Sequence, residues 1–131
     1  MKTLSIVFGA LMLCASISAN ADGAFALARS PTGSGFAFSM SVDQPSAVDA
    51  QGAALIKCNE ARVTYGVSGT CEIVENYTDQ CVALAHSPNG ANGYVVRDTK
   101  SEAETVAMKA CSDYRGINCQ LAGSTCDGIA Y

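Results

Sequence analysis

The segment Ala26-Leu27-Ala28-Arg29-Ser30-Pro31-Thr32-Gly33 returns as Ala83-Leu84-Ala85-His86-Ser87-Pro88-Asn89-Gly90, with six of eight positions identical at an offset of 57 residues. A match of that length inside 131 residues marks two copies of one structural unit, each opening with an apolar strand that runs into a Pro/Gly turn. Any fold for this chain has to accommodate both copies.

Each unit can be followed beyond its turn. Gly35-Phe36-Ala37-Phe38-Ser39-Met40-Ser41-Val42 alternates large apolar with small or polar residues. That is the period of a half-buried strand, and it puts Phe36, Phe38, Met40 and Val42 on one face. The second copy reads Gly93-Tyr94-Val95-Val96-Arg97; aligned on its glycine, it sets Tyr94 and Val96 in the places of Phe36 and Phe38 after a one-residue insertion in the turn. Ser46-Ala47-Val48-Asp49 and, 53 residues on, Thr99-Lys100-Ser101-Glu102 each place a hydroxyl three residues ahead of a carboxylate. This is the capping box of a helix start, with the acid also favoured at the positive helix end. The helices are expected to run to Cys58 and Cys111. Ala50, Ala54 and Cys58 share one helical face, as do Ala103, Ala107 and Cys111, and faces so small let a helix lie close to a sheet.

Polar loops (59–69 and 112–118) then lead to short strands at Cys71–Val74 and Cys119–Ala122, and the fragment Cys126–Tyr131 is expected to add a last strand. The element order predicts an α+β domain over residues 22–131, in two strand-strand-helix-strand units of about 22–80 and 81–131. A pseudo-twofold relates them, and they form one antiparallel sheet with both helices on one face.

Residues 1–21 have the charged, apolar and small-residue regions of a secretory signal peptide, with cleavage expected after Ala21. The apolar run Leu4–Leu13 is shorter than the roughly 20 residues a bilayer span needs. Cys14 raises the alternative of lipidation, but a lipidated cysteine follows a small residue and Leu13 is not one. Loss of Cys14 with the leader leaves six cysteines, at 58, 71, 81, 111, 119 and 126. An even count in a small exported chain reads as three disulfides. No Cys-x-x-Cys pair is present and the chain has one histidine, so no zinc site and no cofactor are expected. Six cysteines allow fifteen pairings. The repeat selects Cys58–Cys71 and Cys111–Cys119 within the units and leaves Cys81–Cys126 for the unit junction.

The chain carries 8 Lys+Arg and 12 Asp+Glu; without Lys2 the balance is 7 to 12, a net charge of −5. Nucleic acid and anionic membranes are therefore poor partners, and a protein partner, a cationic one, is the better expectation.

The Gly23-Ala24 pair with Ala26 and Ala28, the Pro31/Gly33 and Pro88/Gly90 turns, and the Cys58/Cys71 and Cys111/Cys119 pairs together resemble a family of secreted bacterial proteins known only as a domain of unknown function. The resemblance covers nearly the whole mature chain. Family members often carry tryptophan beside the Gly-Ala pair and in the second strand, whereas this chain has none. The resemblance implies no catalytic residues.

Candidate chemistry is sparse. His86 stands where the first copy has Arg29, at the edge of the repeated turn, and could pair with Ser87 and Asp98 as a Ser/His/acid set. Adjacent residues of a strand point to opposite faces, however, and no Gly-x-Ser-x-Gly elbow is present. The carboxylates Glu72, Glu75, Asp49, Glu102 and Glu104 are dispersed over a strand and two helix starts. Asn76-Tyr77-Thr78 fits an N-glycosylation pattern but reads as an ordinary loop. Thr32, His86 and Asn89, on turns carried by a rigid scaffold, are the binding candidates. The expected function is that of an exported, non-catalytic binding protein, of inhibitor or immunity type, directed at a toxin or a cell-wall hydrolase. The alternatives are a small envelope hydrolase and a structural envelope module.

Overall fold

The computed structural model describes residues 22–31 and 35–128; residues 1–21, where a signal peptide is expected, Thr32 with Gly33 and Ser34, and the segment 129–131 lie outside the described residues. In chain order the elements are β1 (Asp22–Arg29), β2 (Phe36–Gln44), α1 (Ala47–Thr64), β3 (Glu72–Thr78), β4 (Cys81–His86), β5 (Asn92–Arg97), α2 (Lys100–Asp113) and β6 (Gln120–Cys126). The strands pair antiparallel into two sheets, β2-β1-β3 and β5-β4-β6.

The fold is α+β, but the single sheet with both helices on one face does not form. Two three-stranded sheets stack face to face, and each helix covers the outer face of its own sheet. Strand alternation explains why. In β1, Ala24, Ala26 and Ala28 point toward Ala50, Ala54 and Cys58 of α1, while Phe25 and Leu27 point the other way. In β4, Cys81, Ala83 and Ala85 meet Ala103, Ala107 and Cys111 of α2, and Val82 and Leu84 point away. A single sheet with both helices on one side would leave Phe25, Leu27, Phe36, Phe38 and Met40 in water. Each such side chain is worth about 1.5–3 kcal/mol when buried, so the two large-residue faces bury each other. Phe25 meets Tyr94 of the opposite sheet edge to face, with ring centroids 5.4 Å apart. On the β2–β6 side, Gly123 leaves room for the Phe38 ring, which a Cβ would approach to 3.0 Å.

The N-cap half of each expected capping box forms: Ser46 Oγ accepts from Asp49 N–H at 3.1 Å, and Thr99 Oγ1 accepts from Glu102 N–H at 3.3 Å. Helix α1 runs six residues past Cys58, because the next residue that favours a stop is Gly66. That glycine takes φ +65° in a terminal loop where Val67 N–H donates to Arg62 and Gly66 N–H to Val63. Asn76-Tyr77-Thr78 is part of β3 rather than a loop, with Tyr77 2% exposed. Cys126 ends β6 instead of opening a further strand.

The disulfides are Cys58–Cys71, Cys111–Cys119 and Cys81–Cys126. The first two fasten the outer helices to the loops that lead into β3 and β6. Cys81 and Cys126 are opposed residues of β4 and β6, so this bond closes the second half on itself and does not bridge the halves. The halves are joined instead through their shared apolar layer and through buried Asp127, whose carboxylate accepts from Asp43 N–H at 2.7 Å and from Asp79 N–H at 3.4 Å.

Candidate functional site

Strand pairing sets which residues meet where the stacked sheets open to solvent. Arg29 pairs with Phe36 across β1 and β2, and His86 pairs with Asn92 across β4 and β5. Asn92, not Tyr94, therefore occupies the place of Phe36: the second turn is one residue shorter than the first, not one longer, and Tyr94 matches Phe38. All four residues continue the inward-facing rows of their strands, so they end up at one mouth of the sandwich.

There the two halves cross-contact. The Phe36 ring lies against the His86 imidazole with centroids 3.9 Å apart. With its amide oxygen toward Arg29, Asn92 accepts from Arg29 Nε at 3.3 Å and donates to His86 Nδ1 at 2.7 Å and to the Ala91 carbonyl at 3.2 Å. The imidazole thus accepts at Nδ1, which leaves Nε2–H as its donor. Phe36–His86 and Asn92–Arg29 are the same contact in the two halves, made once by tilted ring contact and once by a hydrogen bond.

Clefts flank this quartet. One of about 610 Å³ is walled by Phe36, His86, Pro88 and Gln120. Another of about 490 Å³ lies between Arg29, Asn92, Tyr94 and Tyr114. A third of about 430 Å³ shares Arg29 and Tyr94 and adds Glu72. Among the described residues the ion pairs are Arg97–Glu102 and Lys109–Asp113, and neither involves Arg29.

The other candidates fall elsewhere. Ser87 is buried and points away from His86: its Oγ donates to the Ile117 carbonyl at 2.6 Å and accepts from Ile117 N–H at 2.9 Å. Asp98 accepts from Gln80 Nε2 at 3.2 Å at the far end of the β4–β5 ladder, roughly 17 Å along the strands from His86. His86, Ser87 and Asp98 are not brought together. Asn89 braces its own turn, donating to the Arg115 carbonyl at 2.8 Å and accepting from Ala91 N–H at 3.2 Å. Glu104 accepts from Ser124 Oγ at 2.6 Å, Glu75 lies on β3, and Asp49 and Glu102 serve the helix starts. Among the described residues no group of three His, Cys, Asp or Glu side chains is placed to hold a metal, and no helix is long and apolar enough to cross a membrane.

The family model Domain of unknown function (DUF4189) matches residues 14–126. The chain belongs to the DUF4189 family. No curated protein and no solved structure matches it. Within this DUF4189 chain, Arg29, Phe36 and Asn92 were missed as site residues by sequence reasoning. Two signals pointed to Arg29: it holds the position of His86 in the repeat, and it extends an alternating row whose inner members, Phe25 and Leu27, are large and apolar.

Proposed function

We propose that this chain is an exported, non-catalytic binding protein and that the mouth of the sandwich is its contact end. The observation that carries the reading is the convergence of Arg29, Asn92 and His86 on rigid strand ends with clefts to either side, in a fold that holds Ser87 and Asp98 away from the one histidine. Preformed polar groups in a concave setting are what recognition sites offer. Export to the periplasm or beyond, after loss of a signal peptide, is supported by three disulfides, which persist in oxidising compartments.

The partner proposed is a protein of positive net charge, a toxin or cell-wall hydrolase that this chain inhibits. A mature charge of −5 speeds encounter with such a partner, and the exposed Asp79 and Asp98 are two of the contributors. The test uses the purified protein as bait in extracts of the producing organism. A stable protein partner is expected, associating more slowly as salt shortens the screening length to about 8–10 Å. Absence of a partner, together with turnover of an ester or cell-wall substrate that His86→Ala abolishes, would overturn the reading in favour of a hydrolase.

A further inference from the structure

We infer that the cleft between Arg29, Asn92, Tyr94 and Tyr114 is a receptor for a carboxylate carried by the protein partner, with Arg29 as the binding group and Asn92 and His86 as positioning residues. The inference deepens the binding reading and rests on it. Arg29 is exposed at the end of an inward-facing strand row, and its Nε is held by the Asn92 oxygen. The Asn92 amide is in turn held on its other side by His86 Nδ1 and the Ala91 carbonyl. One edge of the guanidinium is thereby fixed. Arg29 lines the cleft, and among the described residues its terminal nitrogens make no hydrogen bond or ion pair, which leaves them as a pair of parallel donors. That pair matches the two oxygens of a carboxylate, the geometry for which arginine is favoured over lysine. An arginine with no carboxylate partner among the described residues, on a chain with an acid excess, is a place suited to take one from outside.

The surroundings select the charge of the guest. Glu72 lines the neighbouring cleft together with Arg29, and the mature chain is net acidic. A singly charged carboxylate is tolerated there, whereas a dianionic phosphate meets one cation and a nearby acid. Tyr94 and Tyr114, the second of them 72% exposed, supply flat apolar walls for the methylene groups behind the carboxylate of a glutamate or of a chain terminus.

The test is an NMR titration of the ¹⁵N-labelled protein with N-acetylglutamic acid α-amide, with the matching glutamine derivative, with N-acetylalanine and with glucuronate. The two peptide carboxylates are expected to shift the Arg29 Nε–H and Asn92 side-chain resonances, and the glutamine derivative is expected to leave them in place. Arg29→Gln should weaken the response by about tenfold or more, the scale of a lost charge-assisted pair. Asn92→Ala should weaken it less, while moving the Arg29 Nε–H resonance in the absence of any added compound, as a positioning role requires. Unchanged Tyr77 resonances report that each variant is folded. Equal shifts with the glutamine derivative, shifts with glucuronate alone, no shift with any compound at its solubility limit, or an unaltered titration of Arg29→Gln would each overturn the inference. If Arg29→Gln binds the protein partner as tightly as the parent does, the carboxylate site fails while the binding reading stands.

Discussion

The two halves of the sandwich share an element order and an alanine-lined helix seat, yet they are closed differently at equivalent places. In the second half, Cys81 of the central strand faces Cys126 of β6 and the two are covalently joined. In the first half the corresponding pair is Ala24 and Asn76, and closure falls to hydrogen bonds. Ser41 Oγ accepts from Ala24 N–H at 3.1 Å and donates to the Ala50 carbonyl at 2.7 Å, and the buried Tyr77 hydroxyl donates to the Ser41 carbonyl at 2.6 Å. Gly23 makes space for that tyrosine, whose ring occupies the volume a Cβ would need. A buried polar network spanning β1, β2, β3 and α1 thus stands where the other half uses one bond between two strands. The disulfide constrains the unfolded chain, whereas the network acts only in the folded one.

That contrast sets the order of expected effects. Replacing both Cys81 and Cys126 by alanine opens the longest loop, a separation of 45 residues against 13 for Cys58–Cys71 and 8 for Cys111–Cys119. Loop-closure entropy assigns these about 4, 3 and 2.5 kcal/mol. Urea unfolding of the three double variants should follow that order, and equal losses would remove loop entropy as the explanation.

Asp127→Ala comes next. It leaves the Asp43 and Asp79 amides without their acceptor and should cost about 2–3 kcal/mol. Its signature is loss of hydrogen-exchange protection at the meeting point of the halves, and protection retained there would show that the apolar layer alone holds them together.

Tyr77→Phe should cost about 1–2 kcal/mol, because it leaves the Ser41 carbonyl without its donor. The variant also has a pH signature. Burial, and then the charge of Asp127, push the Tyr77 phenol well above its ordinary value. The native protein therefore keeps this proton where the unfolded chain, with a phenol near 10, gives it up. Stability from this source is complete below pH ~10 and declines as pH rises beyond it. Subtracting the Tyr77→Phe stability curve from that of the parent should isolate the decline; parallel curves would show that Tyr77 titrates as an exposed tyrosine does.

The smallest effect concerns the helix ends. Both helices finish in the same hydrogen-bonded loop, with Gly66 at the left-handed position after α1 but Arg115, φ +64°, after α2. Arg115→Gly should stabilise by about 0.5–1 kcal/mol, visible as a higher thermal midpoint. A lower midpoint would reveal that the arginine side chain contributes more than its backbone conformation costs.

Local chemistry was legible in the residues. Capping boxes at Ser46 and Thr99, the apolar strands β1 and β4, the alternation of β2, and the helix faces Ala50–Ala54–Cys58 and Ala103–Ala107–Cys111 all depend on interactions within a few residues. The cysteine partners followed because the repeat set Cys58 and Cys111 in the same relation to a following strand. Where local reasoning erred, the signal was ambiguous at short range. Gly93 aligns with Gly35 by identity, but backbone pairing sets Ala85 against Gly93 and Ala28 against Ala37. In the structure Gly93 is needed where β5 passes close beneath the backbone of α2 at Ala107 and Cys111.

The stacking of two sheets, and the mouth it creates, belong to the tertiary structure. Alternation alone says that Phe25 and Leu27 need a cover, and a wider sheet with other neighbours could have provided one. The cover is the equivalent face of the other half, because each half has spent its own helix on its alanine side. Only that stacking brings Arg29 to Asn92 and Phe36 to His86, contacts between residues 50 to 63 positions apart in the chain. No periodicity of 2 or 3.6 residues reaches across such a separation, and the cost of closing those loops is met by the apolar layer as a whole rather than by the residues that meet at its rim.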